Sequence, residues 1–213
     1  MAVKSDREYR DMTMEVRTAE TDEAPDERKI VRGYASTFNE PYTLYENDDW
    51  RFNEVVDSRA FDNTDMSDVI LQYDHCGRVF ARISNNTLTV TPDEKGLLIE
   101  ADLGGTELGR QLFEEIRGGY TNKMSFGFTV DGEDYLDTKD VDGKALTVRT
   151  ITSVRKLYDV SAVSLPANDA TSISVRSLTD GEIERIQAER LEAEALELRR
   201  RKLLARAKLN GGQ

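Results

Sequence analysis

Three segments of the chain carry side chains capable of proton transfer or covalent chemistry. The only histidine, His75, follows the apolar run 69–73 and stands two residues before Gly77. This places it at a strand end beside a turn, where an imidazole serves either as a proton-transfer group or as an ordinary structural residue. Ser125 lies in Lys123-Met124-Ser125-Phe126-Gly127-Phe128-Thr129-Val130. Side chains alternate faces along a strand, so Met124, Phe126, Phe128 and Val130 form one apolar face and Ser125, Gly127 and Thr129 the other. The serine is then either a nucleophile on a well-anchored strand or a small residue on a solvated face. Asp159 is a carboxylate in the otherwise apolar stretch 157–165, which is costly unless it is paired. A histidine would suit it, because a carboxylate fixes the imidazole tautomer; an exposed edge-strand aspartate is the other reading. Cys76 directly follows His75, and sequence neighbours in extended chain point apart, so it reads as an incidental thiol rather than a nucleophile.

The elements that must position these groups are mostly short strands separated by turn residues. Residues 30–38 read as a first strand, and 69–73 as a buried strand delivering His75. Residues 88–91 and 97–103 flank Pro92-Asp93-Glu94-Lys95-Gly96, a hairpin signature with Gly96 expected at a positive-φ position. Thr106 caps a predicted helix to about Arg117, with Leu108, Leu112 and Ile116 four residues apart and Gly118-Gly119 as the stop. Strands follow at 123–130 and 154–164, with the acidic, glycine-containing stretch 131–144 between them as an exposed loop. The result is an α+β, β-rich body.

This body spans 28–176. Residues 1–27 are polar and acidic and read as a mobile arm, with 9–16 able to form an initial strand. From 177 the composition changes. Thr179-Asp180-Gly181-Glu182 fits a capping box, and a charged helix runs to about Leu209 with a thin heptad stripe through Ala188, Leu191, Ala195, Leu198, Ala205 and Leu209.

Composition excludes several classes of function. The net charge of −12 opposes nucleic-acid binding, and only Arg199-Arg200-Arg201-Lys202 is locally basic. That stretch reads first as favourable charge near a helix C-terminus. One cysteine allows no internal disulfide, and one histidine would leave a metal site to carboxylates, so no metal or other cofactor is expected. No run approaches the ~18 apolar residues of a membrane span, and the charged N-terminus lacks a secretory stretch. A soluble protein with no membrane partner is the expectation.

Together the segments resemble the caudovirus prohead serine proteases, the maturation proteases of tailed phages, whose fold is like that of herpesvirus assemblins. The likeness runs from about Val31 to Arg176. It is carried by Val31-Arg32-Gly33-Tyr34-Ala35-Ser36-Thr37-Phe38, by Asn53-Glu54-Val55-Val56 through Ala60-Phe61, and by the strand ending in His75 with Gly77-Arg78 and Arg82. The Met-Ser-Phe-Gly-Phe strand at 124–128 and Asp159-Val160-Ser161 with Pro166-Ala167-Asn168 complete it.

The resemblance implies a closed or partly closed β-barrel with a few surrounding helices, plus the charged helical tail. It implies a serine endopeptidase with His75 as base, Ser125 as nucleophile and Asp159 as the third member, Asp74 and Asp169 remaining alternatives. Assemblins use a second histidine there, and this chain has none; many relatives carry Glu where Asp159 stands. Relatives often place an acid where Cys76 stands. The assemblin arginine pair that builds an oxyanion hole is replaced by Leu165-Pro166-Ala167-Asn168, which leaves backbone N–H groups as the expected donors. Implied substrates are the scaffolding region of the major capsid protein, or a scaffold protein, and the protease itself, inside the assembling prohead in the host cytoplasm. A dimer or larger self-assembly is implied likewise, and the tail suits either loading into the shell or removal by autocleavage. A non-catalytic assembly module, receiving a partner strand on the Ser125 face, is the competing expectation.

Overall fold

The computed structural model describes residues 7–12, 17–18 and 28–164, and in the C-terminal segment 186, 188, 189, 191, 192, 195, 196, 199 and 200. The chain divides into Met1–Ser174 and Val175–Gln213. In the second unit the described residues are helical, and Leu191 and Leu196 are exposed. Of the other stripe positions Ala188 and Ala195 are also exposed, while the capping box at 179–182 and Leu198, Ala205 and Leu209 lie outside the described residues.

The first unit is built on two sheets. Strands β1 (Glu8–Met12), β4 (Tyr42–Glu46), β5 (Trp50–Val56), β6 (Ile70–Tyr73), β7 (Cys76–Arg82), β10 (Lys123–Lys139) and β11 (Ala145–Val163) form a seven-stranded sheet. Its order is β1-β10-β11-β5-β4, with β6 pairing both β11 and β7. A four-stranded sheet has the order β2-β3-β9-β8, from Arg17–Thr18, Ile30–Thr37, Gly96–Asp102 and Leu88–Pro92. The body is thus α+β and strand-rich. Among the described residues the pairings close no barrel, and one α-helix stands where the family resemblance implied several.

That helix, α1 (Glu107–Arg117), is capped as its sequence dictates. Thr106 Oγ1 accepts from Gly109 N at 2.9 Å, Glu107 opens the first turn, and Gly119 takes φ 75° just beyond the end. Leu112, Phe113 and Ile116 are buried in a core shared with Val31, Leu97, Ile99, Met124, Phe126, Phe128 and Val160. The apolar face read from 124–130 is this core. The small-residue face lies on the other side.

Two sequence expectations need correction. Gly96 has no positive φ; a Cβ there would fall on the Ser36 carbonyl, so the requirement is close backbone approach rather than handedness. Residues 131–139 are not loop but the continuation of β10, and only 140–144 turn the hairpin. Cross-strand partners support this acidic stretch: Asp131 pairs with Arg155, Glu133 with Arg149, and Asp137 accepts from Thr147. At the N-terminus Glu8–Met12 is a strand, the option left open for 9–16, and it pairs antiparallel with β10.

The length of β11 organises the site. Its first half pairs in parallel with β5 (Ala145↔Trp50 to Ile151↔Val56), and its last turns to β6 (Asp159↔Ile70 to Ala162↔Tyr73). On its other side it runs antiparallel to β10 throughout. One strand therefore brings the β6–β7 hairpin beside the serine strand.

Candidate active site

The β6–β7 hairpin closes with two residues, Asp74 and His75, since Tyr73 and Cys76 are cross-strand partners. Both central residues take positive φ, 49° and 55°. This is the hallmark of a type I′ turn, whose twist matches that of paired strands. Asp and His tolerate this region better than most residues. The turn is pinned to β11: Asp74 N donates to Ala162 O at 3.0 Å, and Asp74 Oδ1 accepts from Ser164 N at 3.0 Å. His75 is thereby held above the sheet.

Beneath it, the β10–β11 register sets Ser125 opposite Ser161 and Gly127 opposite Asp159. Ser125 and Asp159 are then diagonal neighbours on one face, with the imidazole bridging them. His75 Nδ1 lies 2.5 Å from Asp159 Oδ1. A carboxylate oxygen accepts from a ring N–H, and with the proton on Nδ1 the other nitrogen, Nε2, offers its lone pair. Nε2 meets Ser125 Oγ in a short hydrogen bond. Residues 50 and 84 positions from His75 in sequence are joined through it into one chain, Asp159–His75–Ser125.

Asp159 is fully buried, and its oxygens have three partners. Besides Nδ1, Oδ1 accepts from Ser161 Oγ at 3.0 Å, and Oδ2 accepts from an Arg7 guanidinium nitrogen at 2.5 Å. The carboxylate's burial is thus compensated by charge and hydrogen bonds. Gly127 makes the room. A Cβ there would stand 2.5 Å from Asp159 Oδ2 and 2.8 Å from the Tyr9 ring. A one-residue shift in the ladder follows between Gly127 and Phe128, leaving Tyr158 unmatched, and the Arg7 guanidinium lies 4.2 Å over its ring. Such bulges re-aim side chains beside a site.

The three candidate residues are therefore brought together. The alternatives for the third member are not: Asp74 faces Ser164, and Asp169 lies outside the described residues, as do 165–168. Cys76 is exposed, with its thiol 3.7 Å from Tyr73 O. Ser125 departs from expectation in one respect. Its face is not solvated, and the residue is 0% exposed. β1 covers it, and Ser125 Oγ donates to Arg10 O at 2.9 Å. Arg7, Tyr9 and Ser161 were not singled out from sequence. Ser161 had a signal, since it shares a strand face with Asp159.

A second buried polar cluster lies on the other face of β1. Glu54 is fully buried and holds Arg10 through two bonds, 2.5 and 2.8 Å, and Arg149 at 2.7 Å, with the Tyr42 hydroxyl bonded to it as well. Glu8 joins Arg149 at 2.8 Å. Burial pushes the Glu54 carboxyl up, but Arg10 and Arg149 outweigh it and hold it below the usual range. Burial, reinforced by Glu54, holds the Tyr42 phenol well above its usual value.

A family model described as the caudovirus prohead serine protease matches residues 13–185. The chain belongs to that family. Its members are serine proteases of phage capsid maturation, acting in the procapsid within the host cell, in company with capsid and scaffold proteins. No curated protein and no solved structure matches the chain. All three members of the Asp159–His75–Ser125 chain fall inside the family segment, whereas Arg7 to Met12 precede it. Among the described residues of this prohead-protease family member, no helix is long and apolar enough to cross a membrane.

Proposed function

We propose that the protein is an endopeptidase that works through an acyl-enzyme, with Ser125 as nucleophile, His75 as general base and Asp159 as the group that orients and steadies the imidazole. The hydrogen-bonded chain Asp159–His75–Ser125 carries this reading. Nε2 takes the Oγ proton as Oγ bonds to the scissile carbonyl carbon. The same proton then passes to the leaving amine as the C–N bond breaks. Water, deprotonated by His75, attacks the ester, and Ser125 departs with the returned proton. Asp159 stays ionised and balances the transient imidazolium charge. Backbone N–H groups are the proposed oxyanion donors.

The proposed substrates are the scaffolding region of the major capsid protein, or a separate scaffold protein, and the protease itself. Cleavage within the shell would clear the interior for expansion and DNA packaging. A dimer or larger assembly belongs to the same reading, as does a loading role or autocleavage for the segment beyond 176. Co-expression with the cognate capsid protein, followed by intact-mass measurement, tests it. Ser125→Ala is expected to stay folded while turnover falls about 10⁴-fold or more. Normal capsid-protein processing by that variant would remove Ser125 as nucleophile, and absence of processing by the parent chain would favour a non-catalytic assembly module.

A further inference from the structure

The strand β1 and the residue before it touch every member of the proposed triad. Arg7 holds Asp159 Oδ2 at 2.5 Å; the Tyr9 ring meets the His75 ring edge-on at 4.4 Å; the Arg10 carbonyl accepts from Ser125 Oγ at 2.9 Å. With β1 paired to β10 (Tyr9↔Gly127, Asp11↔Ser125), Ser125 has no exposed surface. No peptide carbonyl from outside can meet Oγ while this strand stays.

The contact with Arg10 is obstructive chemically as well as sterically. A serine hydroxyl has one proton to donate, and the Arg10 carbonyl competes for it with His75 Nε2. That carbonyl also presents its oxygen to Oγ, whereas attack requires the carbon, so the contact is not a cleavage geometry for the Arg10–Asp11 bond. The hold of β1 on β10 is a backbone ladder, which any extended peptide can reproduce. The charge balance permits an exchange. If β1 leaves, Glu8 and Arg10 depart as an ion pair, and Glu54 keeps Arg149 at 2.7 Å. Finally, the family match begins at residue 13, so it does not rest on the contacts made by 7–12.

We infer that the β10 edge beside Ser125 is the binding site for an extended substrate peptide, and that residues 7–12 occupy it in the substrate's place, keeping the enzyme latent until displaced. The inference rests on Ser125 being the nucleophile. The occupant that replaces β1 is a peptide strand running antiparallel to β10, held by main-chain hydrogen bonds, with alternate side chains facing His75.

Labelling of Ser125 by a fluorophosphonate reagent reads the exchange directly. Three chains are compared: the full chain, a chain lacking residues 1–12, and R7A/Y9A, with folding followed by circular dichroism. The full chain should label slowly and R7A/Y9A about tenfold faster, as expected when contacts special to the closed state are removed. The shortened chain should label fastest, and a synthetic peptide of residues 5–14 should return it to the slow rate. Should the shortened chain not fold, R7A/Y9A decides alone. A folded R7A/Y9A that labels no faster than the full chain overturns the latch and makes β1 a constituent part of the site. In that case His75-dependent labelling of Ser125 would leave the nucleophile standing; no such labelling in any folded form overturns both readings.

Discussion

The two faces of β1 meet two buried polar clusters of opposite design. Toward Ser125 lies a hydrogen-bonded relay with a single carboxylate, one imidazole and small hydroxyls, its one guanidinium, Arg7, standing on the outer carboxylate oxygen. Toward Glu54 lies a network of full charges, two guanidinium groups against buried and half-buried carboxylates. The alternation of a strand sorts them: residues 7 and 9 go to the first, 8 and 10 to the second. The relay has one movable proton path and little net charge to shed, which suits chemistry. The network has many mutually dependent charges, so it suits holding strands β1, β5, β10 and β11 in register. Burial of ionisable groups thus marks two different tasks within a few residues.

The difference is open to attack by substitution. Asp159→Asn should lower capsid-protein turnover by about 10⁴-fold, because an amide stabilises the wrong imidazole tautomer. Its thermal midpoint should stay close to that of the parent. An unchanged rate would point to another acid, and a collapse in stability would make Asp159 a structural charge like Glu54. Glu54→Gln should do the reverse. It leaves Arg10 and Arg149 facing a neutral amide in a dry site, a change that costs about 3–5 kcal/mol. Differential scanning calorimetry should show the midpoint falling by about 10 °C.

Gly127→Ala sits between the two. Its new methyl must displace the Asp159 carboxylate or Tyr9. A loss of about 100-fold in turnover is expected from misplacement alone, with stability nearly kept. A fully active G127A would show that Asp159 needs no such fixed seat. The smallest effect belongs to pH. Glu8 and Glu54 are both held below the usual 4.5. A depressed carboxyl contributes stability above its unfolded value and loses it as pH falls through the folded one. Urea midpoints should therefore decline below about pH 4.5, and Glu54→Gln should flatten that decline.

What could be read from the sequence follows the same division. His75 was legible because it is alone, and Ser125 because 123–130 alternates so cleanly that its face is forced. Asp159 stood out as a charge in an apolar strand. Glu54 did not, because it is one acid among 41 Asp and Glu, and its partners lie 44 and 95 residues away. Local periodicity carries no trace of such pairing. The extension of β10 through 131–139 was hidden for a related reason: its support is cross-strand ion pairs, not intrinsic strand preference. The seating of residues 7–12 depends on backbone pairing with a strand more than 100 positions away; the sequence offers a strand at 9–16 but gives no hint of its partner. The helix at Glu107–Arg117 was plain because cap, stripe and stop are all local.

The two-residue turn at 74–75 sets folding against chemistry. Both residues occupy left-handed backbone, at a cost of about 1 kcal/mol or more for each non-glycine residue. Glycine is the residue such a turn prefers at its second position, and that position is where the imidazole must be. A screen rewarding thermal endurance alone would therefore drift toward His75→Gly, and would select a sturdier hairpin without the proposed base. On the proposed mechanism, only selection for the reaction itself would keep the histidine there.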